Sequence, residues 1–313
     1  MKKYSKVLSL ALAFVMLFAL CACGAAASSP AAEPTAAPAV DAPTSEAPAE
    51  TEAPAESQGV LDQIKADGVL YVTLSPDFAP MEFVDSSKDG QEQYVGFDVT
   101  LAKYIADYIG VDLVIEPMSF DACQTAVYTG SVPMSISGYS WTEERSENYE
   151  ISDYYYAGDN ETEQVILIKK NDADKYTSAE DFSGVDVGAQ NASLQMNLLT
   201  SQLPDTNPIT IGDLGVGVLE LQNGSIEALA VAKGNAEMIL DSNPDLMICS
   251  WEFEVAAEYE ANVILITKGE TALLNVVNEA LAKAYADGLY GTWYEDAVAL
   301  AKSENAAEVS VED

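Results

Sequence analysis

The chain has 313 residues, 51 of them acidic against 14 basic, no histidine, and a formal net charge of −37. That balance argues against nucleic acid or an anionic membrane surface as partner, and the missing histidine excludes imidazole acid–base chemistry and histidine metal sites. Thirteen of the basic residues are lysines; the remaining one, Arg145, is the only arginine. Arginine offers a planar fork that grips a carboxylate through two parallel hydrogen bonds, which lysine cannot do.

Lys2, Lys3 and Lys6 precede an apolar run at 7–20, too short for an ordinary membrane span. Residues 1–22 therefore read as a signal peptide. The string Leu20-Cys21-Ala22-Cys23-Gly24 resembles a bacterial lipobox, making Cys23 the candidate lipidated residue, with palmitate-type acyl chains as its anchor. A plain cleaved peptide or an uncleaved anchor is the alternative. After Cys23, residues up to 58 are nearly all Ala, Pro, Glu, Ser and Thr, so 23–58 reads as a lipid anchor and disordered stalk.

From 59 onward, strand and helix signals alternate. Strands are predicted at 69–75, 112–118 and 132–137, with a helical face of Val99, Ala102, Ile105, Ala106 and Ile109 closed by Gly110. A second set has strands at 165–168, 185–189, 208–211 and 228–232, with helices near 192–203 and 216–222. A late strand at 262–267 precedes a helix at 271–287 that Gly288 stops. The alternation predicts α/β lobes with mainly parallel sheets. Gly130-Ser131-Val132 and Gly224-Ser225-Ile226, each entering a strand after a helical segment, form a short internal echo. Ligands of open α/β sheets gather at carboxyl ends of strands, here near Ser137-Gly138 and Val231-Ala232. Cys123 and Cys249 sit in apolar surroundings that favour buried free thiols, a single disulfide being the alternative.

Four stretches in order resemble the extracytoplasmic substrate-binding proteins of amino-acid-type ABC importers, bacterial solute-binding family 3. They are Ser75-Pro76-Asp77-Phe78-Ala79-Pro80-Met81-Glu82-Phe83, Gly96-Phe97-Asp98, the segment from Ser137 through Arg145 to Tyr155, and Lys268-Gly269 with the helix after it. The resemblance spans about 60–295 and implies the two-lobed periplasmic-binding-protein fold with two hinge segments. It places lobe 1 at 59–158 plus 260–304, lobe 2 at 159–259, and an acidic tail at 305–313. It implies a small carboxylate-bearing ligand, ABC importer permease subunits as partners, membrane attachment through the lipid, no cofactor and no catalytic residue.

By the same resemblance, Arg145 receives the ligand carboxylate, beside Gly138 and Ser140 on the loop that precedes it. A surface pair with Glu143, Glu144 or Glu147 is the alternative. Ser140 or Thr142 reads as an N-cap, which puts Arg145 in a first helical turn. Phe78 and Phe97 match positions for aromatics beside the ligand, with core packing as the alternative; Tyr139 and Trp141 line the cleft or pack beneath it. Gln190 and Ser193 are the second lobe's candidates, or parts of a plain capping turn.

The departures from the family pattern are specific. Ala192 stands where the family has glycine, and Pro133 where the first copy has an acid that Glu227 keeps in the second. Ala232 stands where the ammonium-binding acid usually lies, leaving Asp77 as its substitute or a ligand without that group. An enzyme on the same fold, of the prephenate dehydratase type, and a sensory binding protein are the competing functions.

Overall fold

The computed structural model describes residues 59–156, 163–259, 262–303 and 306–307. The expected signal peptide, Cys23 and stalk, and the end of the acidic tail, lie outside the described residues. Among the described residues no helix is long and apolar enough to cross a membrane.

The first lobe opens with α1 (Val60–Asp67) and β1 (Val69–Leu74), whose Leu70, Val72 and Leu74 are fully buried. Two short strands, β2 (Phe83–Asp85) and β3 (Tyr94–Val95), precede α2 (Phe97–Ile109). Leu101, Ile105 and the alanines beside them give α2 one apolar stripe against β1, and Gly110 at φ 90° ends it. Then come β4 (Asp112–Pro117), α3 (Phe120–Tyr128), β5 (Met134–Ser140), α4 (Glu143–Asn148) and β6 (Glu150–Ile151).

The second lobe holds β7 (Gln164–Lys169), β8 (Asp186–Gln190), α5 (Leu194–Gln202), β9 (Asn207–Ile211), α6 (Leu214–Asn223), β10 (Ala228–Ala232), α7 (Lys233–Ser242) and β11 (Leu246–Ile248). The chain then returns to the first sheet as β12 (Asn262–Ile266), followed by α8 (Thr271–Ala286) and α9 (Leu289–Ala301). Strand β13 (Ala306–Ala307) pairs with β2, so the expected acidic tail begins as an edge strand.

Strand order is β4-β1-β5-β12-β6 in one sheet and β11-β7-β10-β8-β9 in the other. The two orders are equivalent. β1 lies parallel between β4 and β5, as β8 lies parallel between β9 and β10. The echo marks equivalent turns: Ser131 and Val132 donate to Ala126 O at 2.9 and 3.3 Å, and Ser225 and Ile226 donate to Glu220 O at the same distances. The sheets are mixed rather than mainly parallel, because β12 and β7 run antiparallel to β5 and β10. Each of these strands has just crossed from the other lobe. It enters its sheet from the cleft side and runs against the neighbours that lead toward the cleft.

Apolar clusters cover both faces of each sheet. Gly288, at φ 71°, follows the end of α8 as expected and turns the chain into a further helix, α9, which carries Trp293. Cys123 and Cys249 are buried free thiols, pushed by burial up to about 12 and about 11. They are inert at neutral pH.

Candidate functional site

The carboxyl end of β5 and the start of α4 build one wall. Thr142 is the N-cap, its Oγ1 accepting from Arg145 N–H at 3.1 Å, which puts Arg145 in the first turn. The Arg145 side chain is buried and its guanidinium points at oxygens of both lobes. Nη1 donates to Ser140 O at 2.7 Å, Nη2 to Ala192 O at 2.9 Å, and Nε to Gln124 Oε1 at 3.3 Å. Two rings pack against it, Tyr139 at 5.1 Å and Phe120 at 5.8 Å from the guanidinium carbon. Aromatic faces and carbonyl oxygens keep a cation in place after water has been removed.

Gly138 is needed as glycine. It sits at φ 53°, and a Cβ there would lie 2.9 Å from Phe78 Cε1. Its N–H donates to Asp98 Oδ2 at 2.8 Å.

The second lobe contributes the turn between β8 and α5. Gln190 Nε2 and Leu214 N, both of lobe 2, donate to Asp77 Oδ2 at 2.9 and 2.8 Å. Ser75 Oγ donates to Asp77 Oδ1 at 2.7 Å. Burial pushes the Asp77 carboxyl up to about 7, with the Leu214 N–H opposing the rise and the charge of Asp213 adding to it. Asn191 Nδ2 reaches Asp121 Oδ2 at 2.8 Å, and Ala192 O also accepts from Gln124 Nε2 at 3.4 Å.

Ala192 adopts φ 55°, the left-handed conformation that explains the glycine of the family pattern. Ala192→Gly should therefore raise stability by about 1 kcal/mol, read as a higher thermal midpoint. An unchanged or lowered midpoint would contradict the strain.

These walls enclose a cavity of about 20 Å³ between the lobes. Phe78, Phe120, Ser137, Gly138, Ser140 and Arg145 line it from lobe 1; Gln190, Leu194 and Gln195 line it from lobe 2. A crevice of about 280 Å³ opens on the other side of Arg145, between Asp121, Gln124 and Asn197. Ligand pockets are typically about 300–1,000 Å³, so the inner cavity has the volume of a closed seam.

Five of the expected residues meet at this cavity: Arg145, Ser140, Gly138, Phe78 and Gln190. The other five lie elsewhere. Phe97 is fully buried in the lobe 1 core, stacked on Tyr155 and edge-on to Tyr290 and Trp293. Tyr139 packs beneath the guanidinium with its hydroxyl on Ser135 Oγ at 2.8 Å, and Trp141 is half-buried against the Cys123 cluster. Asp77 sits in the seam beyond Gln190. Ser193 caps α5, accepting from Met196 N–H at 3.0 Å. The end of β10 does not line the cavity either: Ala232 is buried and leads into α7. Sequence reasoning missed Phe120, Gln124, Leu194 and Gln195. Helical periodicity gave no sign of which face of α3 or α5 meets the other lobe.

Two mixed sheets of equivalent order, with buried polar groups meeting between them, define the class of two-lobed solute-capturing proteins. Residues 70–297 match the family of bacterial extracellular solute-binding proteins, family 3, and the chain belongs to it. Curated relatives include an arginine-binding extracellular protein of Bacillus subtilis, 29% identical over 70% of this chain and 82% of its own. Another is a probable histidine-binding protein of Campylobacter jejuni, 26% identical over 71% and 82%. Among solved structures, an amino acid ABC transporter substrate-binding protein of Streptococcus pneumoniae bound to L-arginine aligns at a TM-score of 0.71. It is 31% identical, covering 80% of this chain and all of that one. An ancestral amino acid-binding protein, described as a precursor of cyclohexadienyl dehydratase, is 29% identical at a TM-score of 0.64, covering 75% of this chain and 98% of its own.

Proposed function

We propose that this protein captures a small carboxylate-bearing solute, an amino acid or close relative, and delivers it to the permease subunits of an ABC importer. In this reading the cleft lies between lobe 1 (59–158 plus 260–304) and lobe 2 (159–259), and the lipid on Cys23 holds the protein at the outer face of a bacterial membrane. The observation that carries it is the lone arginine, buried at the seam with its fork on carbonyl oxygens from both lobes. A ligand carboxylate takes over as acceptor, with a full charge where the carbonyls offer dipoles. Gly138, Ser140, Phe78 and Gln190 surround the ligand, and the relatives named for arginine and histidine support an amino acid as that ligand.

Capture requires the lobes to part, because the cavity of about 20 Å³ admits no amino acid. Closure then remakes the bonds that Gln190 Nε2 and the Leu214 N–H donate to Asp77. A ligand touching both lobes stabilises the closed form by its differential affinity.

The reading includes no bond-breaking step. The ancestral relative keeps a dehydratase as the competing activity, and Asp77, buried and raised to about 7, is the carboxyl such an activity would use. A thermal-shift screen of the protein against amino acids, dicarboxylates and small peptides tests both, since ligand bound only to the folded state raises the midpoint. Capture predicts a clear shift with the ligand recovered unchanged; consumption of the ligand, or no shift across the screen, overturns it.

A further inference from the structure

Behind the ligand wall, two carboxyl groups that the capture reading leaves unused lie buried side by side. Glu82 follows the Phe78 loop and Asp98 occupies the first turn of α2; both are fully buried. Each has one oxygen in use. Ser137 Oγ donates to Glu82 Oε1 at 2.5 Å, while Gly138 N–H and Tyr155 Oη donate to Asp98 Oδ2 at 2.8 and 3.0 Å. The remaining oxygens, Glu82 Oε2 and Asp98 Oδ1, are buried without a donor. Two buried carboxylates cannot remain both ionised and undonated; one proton between them satisfies both orphaned atoms.

We propose that Glu82 and Asp98 share one proton, held between Glu82 Oε2 and Asp98 Oδ1, and that this pair positions the β5 end that carries Ser137, Gly138 and Ser140. The proton belongs on Glu82. Asp98 accepts two donors and sits at a helix N-terminus, both of which favour its ionised form, whereas Glu82 has one hydroxyl donor. Burial and the charges of Asp98 and Asp77 hold Glu82 well above its ordinary range. The groups facing the pair are Asp77 from the loop after β1, Tyr155 after β6, Cys123 of α3 and Tyr139 of β5. Losing the proton sets two negative charges face to face beneath Gly138 and pushes apart the groups that fix Ser137 and Gly138.

The link to ligand affinity rests on the capture reading, so the test has an arm without ligand. Protein labelled at its Asp and Glu carboxyl carbons is titrated by NMR with no amino acid present. One carboxyl of the pair should stay protonated at neutral pH, and the Gly138 amide proton should shift as that proton leaves. Ordinary titration of both carboxyls, or a Gly138 amide that ignores them, overturns the shared proton whatever the protein binds.

The second arm measures Kd for L-arginine near pH 6.5 and pH 9. Wild type should bind more weakly at the upper pH, as expected when binding needs a proton that leaves as the pH rises. Glu82→Gln, whose amide N–H can donate to Asp98 in place of the proton, should weaken by less than about threefold. The ligand's own ammonium titrates identically in both proteins. Equal pH slopes overturn the positioning role.

Discussion

Arg145→Lys is expected to weaken amino acid binding by about a hundredfold while leaving the fold in place. A factor of that size is close to 3 kcal/mol, the scale of a lost bidentate charge-assisted contact in a desolvated site. The guanidinium reaches Ser140 O, Ala192 O and Gln124 Oε1 at once, in the plane that also lies against Tyr139 and Phe120. A lysine ammonium is a point charge on a flexible stem. It can keep one of those acceptors but cannot present two parallel N–H groups to a carboxylate. Thr142 still caps α4 through the backbone, so the helix start survives the change. Calorimetry of wild type and variant, with circular dichroism as the check on folding, reads the difference. Undiminished affinity in a folded variant would contradict the carboxylate fork.

Gly96→Ala is expected to be the most destabilising of the small substitutions, by about 3 kcal/mol or more. Gly96 has φ 123°, where residues with a Cβ are strained. A Cβ there would lie 2.3 Å from Met81 O and 2.7 Å from Met81 C. The obstacle is backbone, which cannot rotate aside as a side chain does. Phe97 N–H and Asp98 N–H donate to Pro80 O and Met81 O at 3.1 and 2.8 Å, so the close approach is part of how α2 begins. Forcing the two segments apart would also move Asp98 away from Gly138 and disturb the ligand wall from behind. Denaturant unfolding should show the loss; a midpoint within about 0.5 kcal/mol of wild type would contradict the clash.

How far the sequence could be read follows from what each element depends on. Segments such as 165–168 and 263–266 are continuous β-branched and aliphatic runs, and the structure buries them on both faces. Their pattern needs no tertiary information. The Gly130 and Gly224 turns are legible for a similar reason: the left-handed residue after a helix is a local requirement, and in both copies the two residues after the glycine donate to one helix carbonyl, Ala126 O or Glu220 O. The direction of β7 and β12 is not local. It is set by where the chain crosses between lobes, which periodicity does not encode.

The site divides in the same way. Arg145, Gly138 and Phe78 stand out through residue type and motif: the arginine is the only one in the chain, and Gly138 and Phe78 lie in stretches that resemble the family's ligand loops. Phe97 is ambiguous in the sequence, since an aromatic beside a glycine suits a cleft or a core equally; in the fold the start of α2 is bonded to Pro80 O and Met81 O and the ring lies in the core. Gln124, Gln190 and Asp77 act through partners far away in sequence, up to 137 positions for Asp77 and Leu214. The proton shared by Glu82 and Asp98 depends on their juxtaposition in space, so the two motifs that carry them gave no hint of it.

The most direct test compares an amino acid with its own carboxamide. Taking the amino acid that raises the thermal midpoint most, calorimetry measures its Kd and that of the same molecule with –CONH₂ in place of –COO⁻. The amide keeps the shape and the side chain and removes only the charge offered to Arg145. It should bind about a hundredfold more weakly in wild type, and that gap should narrow to less than about tenfold in Arg145→Lys. Equal affinities for acid and amide in wild type would contradict the reading of Arg145 as the holder of the ligand carboxylate.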